Sequence, residues 1–242
     1  MQPSQLHLRF QANETLYALA LPTDIQCTPR LSSIAGLNFV ARQAAETGRP
    51  TIASMSLGGG ASRALDNAVN SVCIHQRISC LNFSNDFLFL LQLTQAGVHV
   101  TVAAGNNNED AANTSPARVL SAITVGASTI ADQRASFSNF GSVVDVFAPG
   151  LSITSSWIGS SNAETRTISG TSMSTPHVAG LVAYLISVNG NVAPDAMQEL
   201  VKSLSVKDAL TGLRKSHRYS PHSTRTVHTE QLHSLWHCQR SC

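Results

Sequence analysis

Charged and aromatic residues are scarce in this sequence of 242 residues. Asp, Glu, Lys and Arg together make up 12% of it, Phe, Trp and Tyr make up 5%, and the formal net charge is +2. So small a charge provides no basic surface for nucleic acid, and we expect no nucleic-acid partner. Small and apolar residues fill the middle of the chain instead, which is typical of a packed domain and not of a disordered one.

Long apolar runs are absent as well. The longest candidate, FLFLLQL from Phe87, is far shorter than the roughly 20 residues that a membrane-spanning helix needs. The first residues, MQPSQLHLRFQ, lack the apolar core of a signal peptide. The sequence therefore predicts no membrane partner and shows no secretion signal.

Cysteine is too rare and too unevenly placed for a disulfide scaffold. The count is odd, and residues 81–237 contain no cysteine. The closely spaced pairs fit no zinc-binding spacing. The five cysteines are Cys27, Cys73, Cys80, Cys238 and Cys242.

The chain divides into three parts. Residues 1–32 contain three prolines and little periodicity, and they are predicted to be irregular. Residues 33–213 alternate between helix and strand patterns, which predicts an α/β domain with an open parallel sheet and helices on both faces. Residues 214–242 are rich in His, Arg and Ser. They predict a disordered basic tail, with a His-rich metal site as the alternative.

Capping residues and apolar runs predict the elements of the middle part. Ser33 is the predicted cap of a helix that Gly48 ends, and Pro194 is predicted to lie in the first turn of an amphipathic helix. Residues 72–92 interrupt a predicted helix that begins in ALDNAVNS. Some of the codons that can encode the ends of this segment resemble splice-site sequences. The segment is interpreted as a retained intron or as a genuine surface insertion. The predicted buried strands are TIASMSL, VHVTVAA, AITVGAS and VVDVFAP.

Three glycine-containing segments adjoin these elements: SMSLGGG, VTVAAGNNN and SGTSMSTPHVAG. Because the loops at the carboxyl ends of parallel strands gather at one crevice, we expect the three segments to converge on a ligand site. Ordinary tight turns are the alternative for each segment alone. A phosphate-binding module is a weak alternative, since the three glycines at 58–60 lack the spacing of a phosphate loop.

Together and in this order, these segments and SFSNFGSVVDVFAPG resemble the subtilisin-like serine peptidases, in particular the proteinase K-like branch. The resemblance covers roughly residues 32–213, and GTSMSTPHVAG is its most specific motif. It implies a subtilisin-like fold and an extracellular serine endopeptidase that forms an acyl-enzyme with polypeptide substrates. It also implies a monomer without an organic cofactor.

The resemblance assigns a role to each matching residue. Ser172 matches the nucleophile, and Asn106 matches the side chain that donates to the oxyanion. The segment Ser56, Leu57 and Gly58 matches the strand that pairs with an extended substrate. The residues that match the other wall of the specificity pocket are Ala103, Ala104 and Gly105.

A structural calcium site and a packing histidine are also implied. Asp145 matches a calcium ligand in proteinase K-like enzymes, where the backbone carbonyls near Leu120 and Ala122 would complete the site. A plain surface aspartate is the alternative. His177, five residues after Ser172, matches a histidine that packs and does not catalyse.

The general base and its orienting carboxylate have no counterpart in the sequence. The family carries them in patterns of the type D-[ST]-G and H-G-T-H, and neither pattern occurs here. Asp24 and His7 lack suitable surroundings. The expectation is a catalytically incomplete part of a peptidase domain, lacking its N-terminal side, with an absent N-terminal chain as a candidate partner. The alternative is a non-catalytic remnant or a peptide-binding fragment from a truncated or mis-spliced gene model.

Overall fold

The computed structural model describes residues 7–8, 15–19, 29–73, 97–159 and 163–213, and for 7–8, 15–19, 29–32 and 72–73 it describes the backbone only. None of the described helices combines the length and the apolarity needed to cross a membrane. The described elements are, in chain order, β1 His7–Leu8, β2 Thr15–Leu19, α1 Pro29–Thr47, β3 Thr51–Met55, β4 Gly59–Gly60, α2 Arg63–Cys73, β5 His99–Ala103, a 3₁₀ turn Ala111–Asn113, β6 Thr114–Ser115, β7 Ile123–Ser128, β8 Val146–Pro149, β9 Ile153–Ser156, β10 Thr165–Ile168, α3 Thr171–Asn189 and α4 Pro194–Leu204.

Six of these strands form one sheet in the order β1-β2-β3-β5-β7-β8. All neighbours from β2 to β8 run parallel, and β1 pairs antiparallel with β2. Every residue of β3, β5 and β7 is buried. Such full burial is expected in a parallel sheet, because both of its faces are covered, and none of the three strands contains an Asp, Glu, Lys or Arg residue.

Helices cover both faces of the sheet, as predicted. On one face, α1 and α2 pack against β3 and β5 around Leu37, Met55 and Val102. On the other face, α3 and α4 pack against β7 and β8 around Val182 and Met197. The two apolar clusters hold the sheet between them, and this leaves the carboxyl ends of the strands free to carry a site.

The prediction of an irregular segment at residues 1–32 was wrong in part. β2 pairs with β3 in register from Thr15↔Thr51 to Leu19↔Met55, so this segment contributes to the sheet. The short run TLYAL contains enough strand-forming residues for one strand, although the prolines around it hide the pattern. Helix α1 begins at Pro29, within the same segment.

Helix boundaries agree with the sequence only in part. Ser33 lies inside α1 and is buried, so it is not the cap; Pro29 suits a first helical position because its fixed φ is helical. Gly48 ends α1 with φ +63°, and its N–H group donates to Ala44 at 2.9 Å. Helix α2 continues through Cys73, two residues into the predicted insertion. The rest of that insertion and the predicted tail at 214–242 lie outside the described residues.

Candidate active site

The three glycine-containing segments converge at the carboxyl ends of β3 and β5. Ser56 directly follows β3, and its hydroxyl group donates to the backbone carbonyl of Ser172 at 2.8 Å. Asn106 follows β5, and its Oδ1 atom accepts a hydrogen bond from the Thr171 N–H group at 2.9 Å. Residues more than 60 positions apart in the chain therefore meet at one edge of the sheet, as expected for parallel strands.

Ser172 is the second residue of helix α3, after Gly170 at the N-cap position. It is partly buried, and its Oγ atom lies 3.4 Å from the carbonyl oxygen of Ser56. The positive end of the helix dipole and the Ser172 N–H group lie beside this hydroxyl group, where they would stabilise negative charge. Among the described residues, no histidine or carboxylate side chain is hydrogen-bonded to it.

Asn106 is held in one orientation by Thr171. Its Oδ1 atom accepts from both the N–H group and the hydroxyl group of Thr171, each at 2.9 Å. A backbone N–H group can donate only to the oxygen of the amide, so these contacts identify which end of the amide is the NH₂ group. That NH₂ group has no acceptor among the described residues, and Asn106 is exposed. It is therefore available to donate to a bound group.

Thr171 was not singled out from the sequence. It is completely buried, and its hydroxyl oxygen accepts a hydrogen bond from the Gly105 N–H group at 3.2 Å while donating to Asn106. One hydroxyl group thus ties the loop after β5 to the start of α3. The signal in the sequence is its place directly before Ser172, inside the most specific motif.

Asn139 is a second residue that sequence reasoning missed. It is 1% exposed, and its Oδ1 atom accepts from the N–H groups of Asn107 and Glu109 at 3.0 and 3.1 Å. Its NH₂ group donates to the carbonyl of Ala104 at 2.9 Å. Asn139 therefore braces the loop that carries the Asn106 side chain. Gly105 has φ +107°, and a Cβ atom there would lie 2.3 Å from Asn139 Nδ2, so only glycine fits beside this brace.

The predicted substrate strand lies open. Leu57 is partly buried and Gly58 is exposed, and the backbone of neither residue is hydrogen-bonded to another described residue. The following β4 pairs with β6, which fixes the segment at its far end. An extended peptide could therefore add alongside Leu57 and Gly58 through backbone hydrogen bonds.

The predicted pocket wall is less open than the sequence suggested. Ala103 and Ala104 are 4% and 0% exposed, and the Ala104 side chain packs in a core cluster with Val144 and Phe147. The polar backbone atoms of Ala104 bind Val125 and Asn139. Only the partly buried Gly105 remains at the surface of this wall. Small residues are needed here for core packing, which a sequence pattern cannot distinguish from the lining of a pocket.

His177 and Asp145 lie apart from the hydroxyl group of Ser172. The Nδ1 atom of His177 lies 2.7 Å from the carbonyl oxygen of Met173, one helical turn earlier, in agreement with a packing role. Asp145 is not a surface aspartate, because its side chain is only 12% exposed and lies 2.9 Å from Lys202 Nζ. Within the described ranges, no three His, Cys, Asp or Glu side chains form a metal-binding group.

Comparison with known proteins gives one consistent result. The sequence profile of the Subtilase family matches residues 30–221. The chain is 49% identical over 182 residues to alkaline serine protease ver112 of Corniculantispora psalliotae, covering 74% of this chain and 41% of that protein. It is 43% identical over 182 residues to the cuticle-degrading protease of Metarhizium anisopliae, with the same coverage of both chains.

A solved structure matches as well. The crystal structure of a cold-adapted subtilisin-like serine proteinase superposes with a TM-score of 0.65 at 38% sequence identity. The match covers 82% of this chain and 61% of that one. The chain spans less than half the length of the two curated relatives named above.

Proposed function

The chain belongs to the subtilase family of serine peptidases, and from this premise we propose that Ser172 is the nucleophile of an endopeptidase site and that Asn106 donates to its oxyanion. The orientation of Asn106 carries the proposal. Thr171 holds the oxygen of the Asn106 amide, so the NH₂ group is free beside the start of α3. In this arrangement the amide and the helix N-terminus stabilise the negative charge of a tetrahedral intermediate.

We also propose that this sequence does not complete the reaction alone. A serine hydroxyl group needs a base to take its proton and a carboxylate to orient that base. The family patterns for both are missing from the sequence, and no described histidine or carboxylate reaches Ser172 Oγ. We therefore expect the base to come from a polypeptide segment that carries the family pattern, which does not occur in this sequence.

A polypeptide outside the cell is the proposed substrate. The open backbone at Leu57 and Gly58 supports recognition of an extended peptide. A relative that is 43% identical is named a cuticle-degrading protease. Because the described site contains no base, a fragment that binds peptides without cleaving them is the second candidate.

A chimera tests the proposed roles. The part of protease ver112 that precedes the matched region is joined to this chain from Pro29 onward, and hydrolysis of an apolar peptide is measured. We expect turnover that Ser172→Ala abolishes and that Asn106→Ala reduces roughly 10²–10³-fold, the range for loss of one such donor in subtilisin. Ser187→Ala is the matched control, because Ser187 is an exposed serine on the same helix.

Two outcomes of this experiment would contradict the proposal. One is a chimera that folds and binds peptide without cleaving it, which would support the peptide-binding candidate. The other is an active chimera whose turnover survives Ser172→Ala, since the nucleophile would then be a different residue.

A further inference from the structure

A group of oxygen atoms lies where the loop before β7 meets helix α4. It consists of the Asp145 carboxylate and the backbone carbonyl oxygens of Leu120 and Ala122. Carboxylate and carbonyl oxygens are the ligands that calcium takes in proteins, and the family resemblance implies a calcium ion at this position.

The donors around these oxygens do not fit a calcium ion. The Lys202 ammonium group lies 2.9 Å from Asp145 Oδ1, and the Thr124 N–H group donates to Oδ2 at 2.8 Å. The Gln198 NH₂ group lies 3.2 Å from the carbonyl oxygens of both Leu120 and Ala122. Each oxygen that would ligate the metal thus already accepts a hydrogen bond, and an ammonium group lies beside the Asp145 carboxylate.

Helix α4 supplies both of these side chains. Gln198 and Lys202 are four residues apart, so they project from the same face of the helix on successive turns. They are 8% and 9% exposed. A buried lysine is rare unless an anion pairs with it, and Asp145 is that anion; the ammonium group also contacts the exposed Glu199 at 3.2 Å.

Burial and charge pairing act against each other at both Lys202 and Asp145. Burial is the largest single effect and lowers the pKa of Lys202, but the charges and hydrogen bonds of Asp145 and Glu199 together raise that pKa above its ordinary value. Burial raises the pKa of Asp145 above its ordinary value, and the Lys202 ammonium group and the Thr124 N–H group only partly oppose that rise. Its position 2.9 Å from Asp145 Oδ1 lets the Lys202 ammonium group supply the positive charge that a metal ion would otherwise bring.

We propose that Lys202 and Gln198 are a built-in replacement for a metal ion at this position, so that the fold is held together here without calcium. Lys202 neutralises the carboxylate, and Gln198 binds the two carbonyl oxygens that a calcium ion would otherwise share. The interaction joins α4 to the loop before β7 and to the start of β8, whether or not the site around Ser172 is catalytic.

Thermal unfolding of the full chain in EDTA and in millimolar calcium tests this proposal. For the parent chain we expect the same Tm in both solutions, within about 1 °C. Lys202→Met removes the ammonium group but keeps an apolar chain of similar length, so its Tm in EDTA should fall. Calcium at about 100 times its dissociation constant should then raise that Tm by about 5–10 °C. Lys207→Met is the matched control, because Lys207 is exposed and the change in net charge is the same.

Terbium luminescence provides a second readout that does not depend on unfolding. We expect no Asp145-dependent terbium signal from the parent, and a signal from Lys202→Met that Lys202→Met/Asp145→Asn loses. If Lys202→Met folds only when calcium is present, the proposal is supported. Lys202→Gln is the milder variant, and it should also gain a terbium signal.

Either of two results would overturn the proposal. One is a calcium-dependent rise in the Tm of the parent that Asp145→Asn abolishes, because the metal would then bind beside the lysine. The other is a pair of variants, Lys202→Met and Lys202→Gln, that fold with the Tm of the parent in EDTA and gain no response to calcium or terbium.

Discussion

The hydroxyl group of Ser56 takes the place of a missing helical hydrogen bond at Ser172. It donates to the Ser172 carbonyl oxygen at 2.8 Å. In a regular helix this carbonyl would accept from the residue four positions later, but that residue is Pro176, which has no N–H group. The proline thus frees the carbonyl group of Ser172 to hold the predicted substrate strand.

This relationship predicts the stability of three variants. Ser56→Ala leaves the partly buried Ser172 carbonyl without its donor and should cost about 1 kcal/mol in the free energy of unfolding. Pro176→Ala restores the helical N–H donor, so Ser56→Ala should cost less in that background. Urea denaturation of the two single variants and the double variant measures the coupling energy. If Ser56→Ala lowers the free energy of unfolding equally in both backgrounds, Pro176 does not create the need for the Ser56 hydrogen bond.

Asn139 should matter more for stability than Asn107, an exposed asparagine of the loop that Asn139 braces. Asn139→Ala leaves the Ala104 carbonyl and the N–H groups of Asn107 and Glu109 without their buried partner. We expect a loss of about 2–4 kcal/mol in the free energy of unfolding, against less than about 0.5 kcal/mol for Asn107→Ala. Denaturant unfolding curves decide this, and similar losses in the two variants would refute the bracing role.

His99 should make the fold sensitive to mild acid. It is 1% exposed, its Nε2 atom lies 2.8 Å from Asn191 Oδ1, and burial lowers its pKa below 6.5 while the Asn191 hydrogen bond opposes this effect. Below pH 6.5 the unfolded chain binds a proton that the folded chain rejects. The stabilising contribution is therefore complete above that pH and is lost as the pH falls.

The test compares the parent with His99→Gln between pH 7.5 and pH 5. The parent should lose up to about 1.4 kcal/mol more per pH unit below 6.5 than the variant does. Parallel stability curves for the two proteins would show that His99 does not carry the acid sensitivity.

The purified chain should show no peptidase activity. Ser172 and Asn106 can hold a carbonyl group and stabilise its oxyanion, but no described group can accept the proton of the serine. Long incubation of the purified chain with an apolar peptide should give the same rate as its Ser172→Ala variant. A rate clearly above that variant would reveal a base, with His7 as the first residue to replace.

The sequence was most informative about features that depend on a single strand or helix. The runs of small and apolar residues in β3, β5 and β7 predicted buried parallel strands, because burial on both faces leaves no place for charged side chains. The motif around Ser172 predicted the start of α3. These features depend on neighbours within a few residues of each other.

Features that depend on distant residues could not be read from the sequence. The Lys202 side chain belongs to an amphipathic helix that the pattern predicts, yet nothing in the pattern shows that it faces Asp145, 57 positions earlier. The buried contacts of Asn139 span up to 35 positions, and an asparagine is more common at the surface than in the interior. Such partners are determined by the packing of elements and not by their periodicity.

Ser56 and Ser172 lie 116 positions apart in the sequence, and this distance affects the order in which the chain folds. Contacts between residues so far apart form only after a large loop has closed, which makes them slow to appear during folding. During synthesis Ser56 and Asn106 leave the ribosome well before Ser172, so the early part of the chain cannot close around the hydroxyl group. Hydrogen-exchange protection at residues 171–173 should therefore appear no earlier than that of β3 and β5, because a late step joins them.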